Sequence, residues 1–194
     1  MEPLNPRLGK EEEAVLLGIL RGRVDFLRGD FTLASGKKSD FYINGKTTTL
    51  RPDALYCAAR IMLSRMAESG VAFDRVGGLT LGADALIGAM VCLSHGTGQS
   101  LEGFIVRKEA KGHGTGQWIE GPALQPGQRV AIIEDVVTTG KSALAAIERA
   151  KESCPGIEIA GVFALVDRLD GGAEALQKAG GYSLNSLFTK DDLL

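Results

Sequence analysis

The chain has 194 residues, of which 44% are apolar and 24% charged, and its formal net charge is −2. This length and composition suit one globular domain that needs neither disulfides nor a structural metal. A nucleic-acid partner is disfavoured because the sequence has no long Lys/Arg run, and a membrane is disfavoured because it has no stretch of ~20 apolar residues. Its three scattered cysteines favour a cytoplasmic protein with reduced thiols.

The first part of the chain predicts one helix and several short strands. Glu11 to Leu20 has helical apolar spacing with acids in its first turn. Val24 to Ile43 is rich in aromatic and β-branched residues and contains two glycine-marked turns, which favours short strands. Because this part does not join the alternation that follows, we expect residues 1–45 to form a hood beside a core of residues 46–194, within a single domain.

After the hood, helical and strand patterns alternate. Pro52 to Ser69 carries proline in its first turn and apolar residues on one face, as a helix does. The further predicted helices are Ala83 to Leu93, Ser142 to Ser153 and Gly172 to Ala179, and the predicted strands are Val76 to Leu79, Leu101 to Arg107, Val130 to Ile133 and Ile157 to Val166. Such alternation implies parallel strands with right-handed crossovers. The expected fold class is α/β, with a mostly parallel central sheet flanked by helices.

The most informative segment runs from Val130 to Ser142. A buried strand ends at two adjacent acids, Glu134 and Asp135, and a hydroxyl-rich loop then leads into a helix. Ligands of open α/β sheets bind at the carboxyl ends of strands, and the amides of such a loop bind anions. The two carboxylates would repel phosphate but can accept hydrogen bonds from vicinal hydroxyls. The segment therefore predicts a ligand with a phosphate at one end and sugar hydroxyls at the other.

The segment allows two other interpretations. Gly140-Lys141-Ser142 matches the end of a P-loop, but that motif requires glycine at position 135, where this chain has Asp135. The P-loop is therefore rejected. An ordinary strand–loop–helix with acids on the surface remains as an alternative.

A second constellation, from Arg107 to Gly116, follows a predicted strand. Its four potentially cationic side chains are accompanied by alternating glycines, a composition too flexible for a helix or strand. The segment is either a solvated charged loop or a lid that closes cations over a polyanion. Its position beside the predicted phosphate loop favours the lid.

These segments resemble those of a known family. Val130 to Ser142 is similar to the phosphoribosyl-diphosphate signature of type I phosphoribosyltransferases. The pattern Arg-Lys-Glu-x-Lys-x-His-Gly at 107–114 resembles the catalytic loop of the orotate phosphoribosyltransferases, and Phe31 to Tyr42 resembles their hood segment. The resemblance covers nearly the whole chain. It implies transfer of a phosphoribosyl group from 5-phosphoribosyl 1-diphosphate to orotate in pyrimidine biosynthesis.

The resemblance also implies roles for the matching residues in binding the donor. Glu134 and Asp135 hold the ribose hydroxyls, and the loop from Thr138 to Ser142 holds the 5-phosphate. The full set expected to contact phosphoribosyl diphosphate is Thr80, Leu81, Gly82, Arg107, Lys108, Lys111, His113, Glu134, Asp135, Val136, Val137, Thr138, Thr139, Gly140, Lys141 and Ser142.

The resemblance implies smaller sets of residues for binding the base and for catalysis. Arg168 ends a predicted strand, and an arginine there suits a carboxylate, although a surface ion pair is the alternative. The residues expected to contact orotate are Tyr42, Ile43, Thr138 and Arg168, and those expected to be catalytic are Lys108, Lys111, His113 and Asp135.

The resemblance further implies Mg²⁺ and a dimer. No cluster of His, Cys and Asp suggests a metal cage, so Mg²⁺ is expected to arrive on the diphosphate of the donor. In the family, the lid of one subunit reaches the active site of its partner. A homodimer with a shared lid is therefore expected.

Two departures from the family pattern and two alternative functions stay open. Some members have lysine at the position of Ala34, and some have a basic residue within Thr80 to Gly82. These two cationic contacts are either absent here or replaced, for example by Lys37 or Lys38. The alternative functions are a transferase for another base, such as a purine, and a regulator that binds the donor without chemistry. Arg168 and the hood weigh against a purine, and the intact lid weighs against a regulator.

Overall fold

A computed structural model describes residues 9–22, 25–32, 38–97, 100–110 and 117–193, with the backbone alone at 25–28, 32 and 38–42. The helices in these ranges are α1 (Lys10–Arg21), α2 (Gly45–Thr49), α3 (Pro52–Glu68), α4 (Asp84–Ser94), α5 (Lys141–Ser153) and α6 (Gly172–Gly180). The strands are β1 (Asp25–Thr32), β2 (Lys38–Asn44), β3 (Arg75–Leu79), β4 (Glu102–Val106), β5 (Ile119–Glu120), β6 (Arg129–Val137), β7 (Glu158–Asp167) and β8 (Leu184–Thr189).

A six-stranded sheet in the order β5-β4-β3-β6-β7-β8 forms the centre of the fold. Its strands pair in parallel, except that β5 runs antiparallel to β4. The predicted α/β class with a mostly parallel sheet is thereby confirmed. Because parallel strands share one direction, the loops that follow β3, β6 and β7 lie at the same edge of the sheet.

Strand β6 is buried on both faces, which explains its continuous apolar run. Ala131 and Ile133 belong to the hydrophobic cluster that includes α3 and α4, whereas Val130 and Ile132 belong to the cluster that includes α5 and α6. All four side chains are fully buried. Alternate residues of one strand thus join two separate cores, which fixes the register of β6 and of the acids that follow.

The extent of β6 corrects one prediction. The strand does not end at Ile133 but continues to Val137, so that Glu134 and Asp135 lie inside it. The reason is the neighbouring strand: β7 runs on to Asp167, and its pairing with β6 continues to Val137. Consecutive strand residues face opposite sides of the sheet, and the two acids therefore leave the strand in different directions.

The N-terminal strands do not join the central sheet. β1 and β2 form a separate antiparallel pair, and α1 packs against α3. Leu16 and Leu20 of α1 are buried, and the acids of its first turn reach α3, with Glu12 lying 2.6 Å from Arg60. Helix α2 follows β2 directly and carries the chain from this region to the sheet.

Five short elements of the described residues were not predicted. They are α2, β5, β8 and two 3-10 helices at His95–Thr97 and Lys190–Asp192, and β8 extends the sheet beside β7. No helix in the described part of the chain is both long enough and apolar enough to cross a lipid bilayer.

Candidate active site

Three loops meet at the carboxyl edge of the sheet, after β3, β6 and β7. The backbone N–H of Arg168, just beyond β7, donates to the carbonyl of Val137 at the end of β6, with a distance of 2.9 Å. The side chain of Asp135 in β6 lies against Gly82, in the loop after β3. The topology thus brings together segments from residues 82, 135 and 168, which are far apart in the sequence.

The loop after β6 leads into the N-terminus of α5. Gly140 is the N-cap residue, with a left-handed backbone (φ 75°), and no side chain caps the first turn of the helix. Thr138 and Thr139 are partly exposed, while Lys141 and Ser142 are exposed. The uncapped N–H groups and the hydroxyls can bind an anion, because the positive end of the helix dipole lies at the same place.

The carboxylate of Asp135 is enclosed by two glycines. A Cβ placed on Gly82 would lie 2.6 Å from Oδ1, and one placed on Gly45 would lie 2.8 Å from Oδ2. No side chain fits at either position without moving the carboxylate. Asp135 Oδ1 also accepts the backbone N–H of Val136 at 2.8 Å. The carboxylate of Asp135 is therefore held at a fixed place between α2 and the loop after β3.

Glu134 is buried and only 4% exposed. Within the described residues, its Oε1 is a buried atom without a hydrogen-bond partner. Burial raises the pKa of Glu134 to about 8, with a further increase from the charge of Asp135 and an opposing effect of Lys46. A buried acceptor without a partner is costly, and a hydroxyl group of a ligand would satisfy it.

The loop after β3 contains no cationic residue. The backbone N–H of Thr80 donates to Val106 at 2.9 Å, and its hydroxyl donates to Asp84 Oδ2 at 2.7 Å. The Thr80–Leu81 peptide bond is cis, and the side chain of Leu81 is 66% exposed. Both donors of Thr80 are thus engaged within the protein, and the loop presents no charged side chain to a ligand.

The two ends of the predicted lid are fastened side by side. The N–H of Arg107 donates to the carbonyl of Trp118 at 2.9 Å, and the Arg107 guanidinium lies 3.0 Å from Glu120 Oε1. The ring of Trp118 packs under the guanidinium of Arg149 in α5, at 3.9 Å from the ring centroid. Arg149 is held in turn by Glu152 at 2.6 Å. We call these residues the lid stem.

Arg168 is 3% exposed, and its Nε lies 3.3 Å from Asp170 Oδ2. The residue between them, Leu169, has a positive φ of 57°. Its N–H donates to Asp167 Oδ1 at 2.9 Å. The guanidinium is therefore buried beside the end of β7, within ion-pair distance of an acidic neighbour.

The predicted site residues fall into three groups. Those at the carboxyl edge are Thr80, Leu81, Gly82, Glu134, Asp135, Val136, Val137, Thr138, Thr139, Gly140, Lys141, Ser142 and Arg168. Arg107 and the exposed Lys108 lie at the start of the lid; Lys111 and His113 are outside the described residues, as are Ala34 and Lys37. Ile43 and the backbone of Tyr42 belong to β2, close in sequence to Gly45.

Sequence reasoning missed two features of the site. Gly45 and Lys46 reach Asp135 from α2, with Lys46 Nζ 3.8 Å from Asp135 Oδ2. Glu120 and Trp118 complete the lid stem. A five-residue helix shows no helical period, and a contact across ninety positions leaves no local pattern, so no signal in the sequence marked α2 as part of the site.

Comparisons with known proteins place the chain in a family, although no protein-family model matches it. An orotate phosphoribosyltransferase of Thermosynechococcus vestitus is 50% identical over 165 residues, which are 85% of this chain and 84% of that protein. One of Bradyrhizobium sp. (strain ORS 278) is 41% identical over 184 residues, which are 93% of this chain and 96% of that protein.

Solved structures agree with these relatives. The Mycobacterium tuberculosis orotate phosphoribosyltransferase, crystallised with Fe(III) dicitrate, is 38% identical, has a TM-score of 0.75 and covers 93% of this chain and 98% of its own. The same enzyme crystallised with phosphoribosyl diphosphate has a TM-score of 0.72 at 32% identity and covers 96% of this chain and 94% of its own. Identity at this level over most of both chains leaves no other assignment: the chain belongs to the orotate phosphoribosyltransferase family.

Proposed function

We propose that the protein transfers the phosphoribosyl group of 5-phosphoribosyl 1-diphosphate to orotate, giving orotidine 5'-monophosphate and diphosphate as a step of pyrimidine biosynthesis. One observation supports this most strongly. Two buried carboxylates, Glu134 and Asp135, lie in β6 directly before the uncapped N-terminus of α5. Carboxylates that can accept hydrogen bonds from ribose hydroxyls thus come before N–H groups that can bind a 5-phosphate. Phosphoribosyl diphosphate carries its hydroxyls and its 5-phosphate in the same order.

The donor would lie along the carboxyl edge of the sheet. Thr138 to Ser142 would bind its 5-phosphate, and Glu134 and Asp135 its ribose hydroxyls. The diphosphate would extend toward Thr80 to Gly82, because Gly82 lies against the far side of the Asp135 carboxylate. Lid residues Lys108, Lys111 and His113, together with Arg107, would then close over the diphosphate.

Orotate would lie between Arg168 and the hood. The buried guanidinium of Arg168 suits a carboxylate, which orotate carries and purines lack. Thr138 and the backbone around Tyr42 and Ile43 would contact the ring. In this arrangement the hood, residues 1–45, supplies one wall of the site and the α/β core, residues 46–194, supplies the rest.

The protein's part in the reaction is positioning and charge stabilisation. Positive charge develops at the anomeric carbon as its bond to the diphosphate breaks, and negative charge develops on the departing diphosphate. Glu134 and Asp135 hold the ribose in place, and the lid cations stabilise the leaving group. The base nitrogen then needs only to be held in line with the anomeric carbon, which is the task of Arg168 and the hood.

Mg²⁺ fits this site as an ion carried by the donor. Among the described residues, no group of three or more His, Cys, Asp and Glu could hold a metal. Glu134 and Asp135 offer two carboxylates, and Mg²⁺ commonly binds one or two carboxylates together with phosphates and water. When bound, it would stabilise the negative charge of the diphosphate.

Two further features belong to the proposal. The active unit is a homodimer in which the lid of each subunit completes the site of its partner, with the lid stem holding both ends of that loop. The protein works in the cytoplasm, in keeping with its free cysteines, Cys57, Cys92 and Cys154.

A turnover assay tests the function directly. The purified protein is incubated with phosphoribosyl diphosphate and Mg²⁺, and orotate is compared with adenine, with uracil and with no base. We expect diphosphate to be released when orotate is the added base, and not with adenine, with uracil or without a base. Equal or faster release with adenine or uracil would overturn the assignment of the base, and binding of the donor without release would favour the regulator.

A further inference from the structure

Lys46 is a cation of the site that the predicted donor-binding set does not contain. It lies in the first turn of α2, next to Gly45, and its Nζ is 3.8 Å from Asp135 Oδ2. Its side chain is 50% exposed, whereas the carboxylate of Asp135 is 11% exposed. The ammonium therefore lies at the mouth of the site, above a buried acid.

The contact with Asp135 does not hold this lysine firmly. At 3.8 Å the pair is longer than a hydrogen bond, and an ion pair with a half-exposed lysine is weak. A lysine side chain has four rotatable bonds and three donors, so it can turn to another anion at little cost. Asp135 is meanwhile held by the N–H of Val136 and does not depend on Lys46 for its position.

The two sides of the Asp135 carboxylate place Lys46 near the diphosphate. Oδ2 faces Gly45, which precedes Lys46, and Oδ1 faces Gly82 of the loop after β3. One carboxylate group thus separates the lysine from the loop toward which the diphosphate extends. That loop, Thr80 to Gly82, has no cationic side chain of its own.

The charge balance of the site calls for such a cation. The donor brings a highly charged diphosphate beside two acids, Glu134 and Asp135, and the ionised carboxylate of Asp135 would repel it. Lys46 is the lysine that the described structure places beside these acids.

We propose that Lys46 binds the diphosphate of the sugar donor, supplying the cationic contact that the loop Thr80 to Gly82 lacks. This inference rests on the proposed function and deepens it. In the empty site Lys46 remains over Asp135; when the donor binds, its ammonium moves from the carboxylate to the diphosphate. Asp135 is thereby released to accept a ribose hydroxyl.

A simpler role has to be separated from this one. Lys46 could act only through Asp135, by offsetting the repulsion between the two acids. In that case every ligand with ribose hydroxyls would depend on Lys46 to the same degree. Ribose 5-phosphate carries these hydroxyls and the 5-phosphate but no diphosphate, so it distinguishes the two roles.

The experiment compares the affinity of phosphoribosyl diphosphate with that of ribose 5-phosphate, by calorimetry with Mg²⁺ present. For Lys46→Met we expect the diphosphate ligand to bind about tenfold to hundredfold more weakly, the usual size of a lost charge-assisted hydrogen bond, with ribose 5-phosphate unchanged. Lys46→Arg should retain most of the affinity. Lys178→Met, an exposed lysine at the end of α6, is the matched control.

Two results would overturn the inference: an equal loss for both ligands, which assigns Lys46 to Asp135 alone, or no loss for either. The midpoint of thermal unfolding shows that each variant is folded, and Lys46→Gln gives the same comparison if Lys46→Met is unstable. The proposed function is judged separately, by orotate turnover in the unaltered protein. Failure of that assay and failure of the Lys46 test are therefore different results.

Discussion

The side chain of Asp135 and the backbone of Gly82 are in direct contact, so that a Cβ on Gly82 would lie 2.6 Å from Asp135 Oδ1. Gly82→Ala must therefore displace the carboxylate or the loop. We expect it to lower kcat/KM for the donor by about tenfold to hundredfold, since small misplacements of a reacting pair have effects of this size. Gly88→Ala, where a new Cβ meets nothing within 4 Å, is the control. Wild-type kinetics in Gly82→Ala would show that Asp135 does not hold the donor.

Glu134 makes the stability of the empty protein depend on pH. Its pKa is about 8 in the folded protein and 4.5 in the reference state, so the folded protein keeps a proton that the unfolded chain loses between these values. The free energy of unfolding should therefore fall as pH rises from about 4.5 to about 8, and change no further above that. Chemical denaturation at pH 5.5, 7 and 8.5 measures the slope. Glu134→Gln should flatten it; an unchanged slope would assign the effect to other groups.

Binding of the sugar donor should also change the protonation of Glu134. Ribose hydroxyls that donate to Glu134 favour its ionised form and lower its pKa, so the donor should release a proton on binding near pH 7. Calorimetry in two buffers of different ionisation enthalpy measures the number of protons released. We expect the release to disappear in Glu134→Gln. A release of the same size in this variant would show that Glu134 does not contact the ribose.

Arg168 should contribute to the binding of orotate and not to that of the sugar donor. We expect Arg168→Gln to raise KM for orotate about tenfold to hundredfold, because a charge-assisted pair with the orotate carboxylate is lost, and to change KM for the donor much less. Steady-state kinetics with each substrate varied in turn measures both values. Since Arg168 is buried and pairs with Asp170, the midpoint of thermal unfolding of Arg168→Gln checks for a structural effect. Equal changes in both KM values would make Arg168 a structural residue.

A complementation experiment tests the shared lid. Lys111→Ala removes a lid cation, and Asp135→Asn removes a contact of the core, so each variant should be nearly inactive alone. If the lid acts across the dimer, a mixed dimer has one site with both changes and one with neither. Random 1:1 exchange makes about half of the dimers mixed, each with one of two sites intact, and activity should recover to about a quarter of wild type. No recovery after verified exchange would mean that each lid serves its own chain.

The parts of the fold that depend on local sequence pattern were predicted. The parts that depend on contacts between residues distant in the sequence were not. The run Val130 to Ile133 predicted a buried parallel strand because both of its faces are apolar. Its true end at Val137 depends on pairing with β7, which carries the strand through two acids. The same holds for the candidate site. The two acids and the loop after them form a motif in the sequence, whereas Lys46 reaches the site only because the fold places α2 against Asp135.

The lid stem sets a limit on how far the proposed lid can extend. Arg107 and Trp118 are joined by a backbone hydrogen bond, and ten residues, 108–117, lie between them in the sequence. Because its two ends are joined, such a segment reaches outward by at most about half its length, and five residues at ~3.3–3.6 Å each span at most ~18 Å. If the lid serves the partner's site as proposed, the diphosphate of that site must lie within this distance of the stem, plus the length of one lid side chain. In the proposed homodimer with a shared lid, a pairing of subunits that separates a stem from the opposite site by more than this length could not be the active assembly.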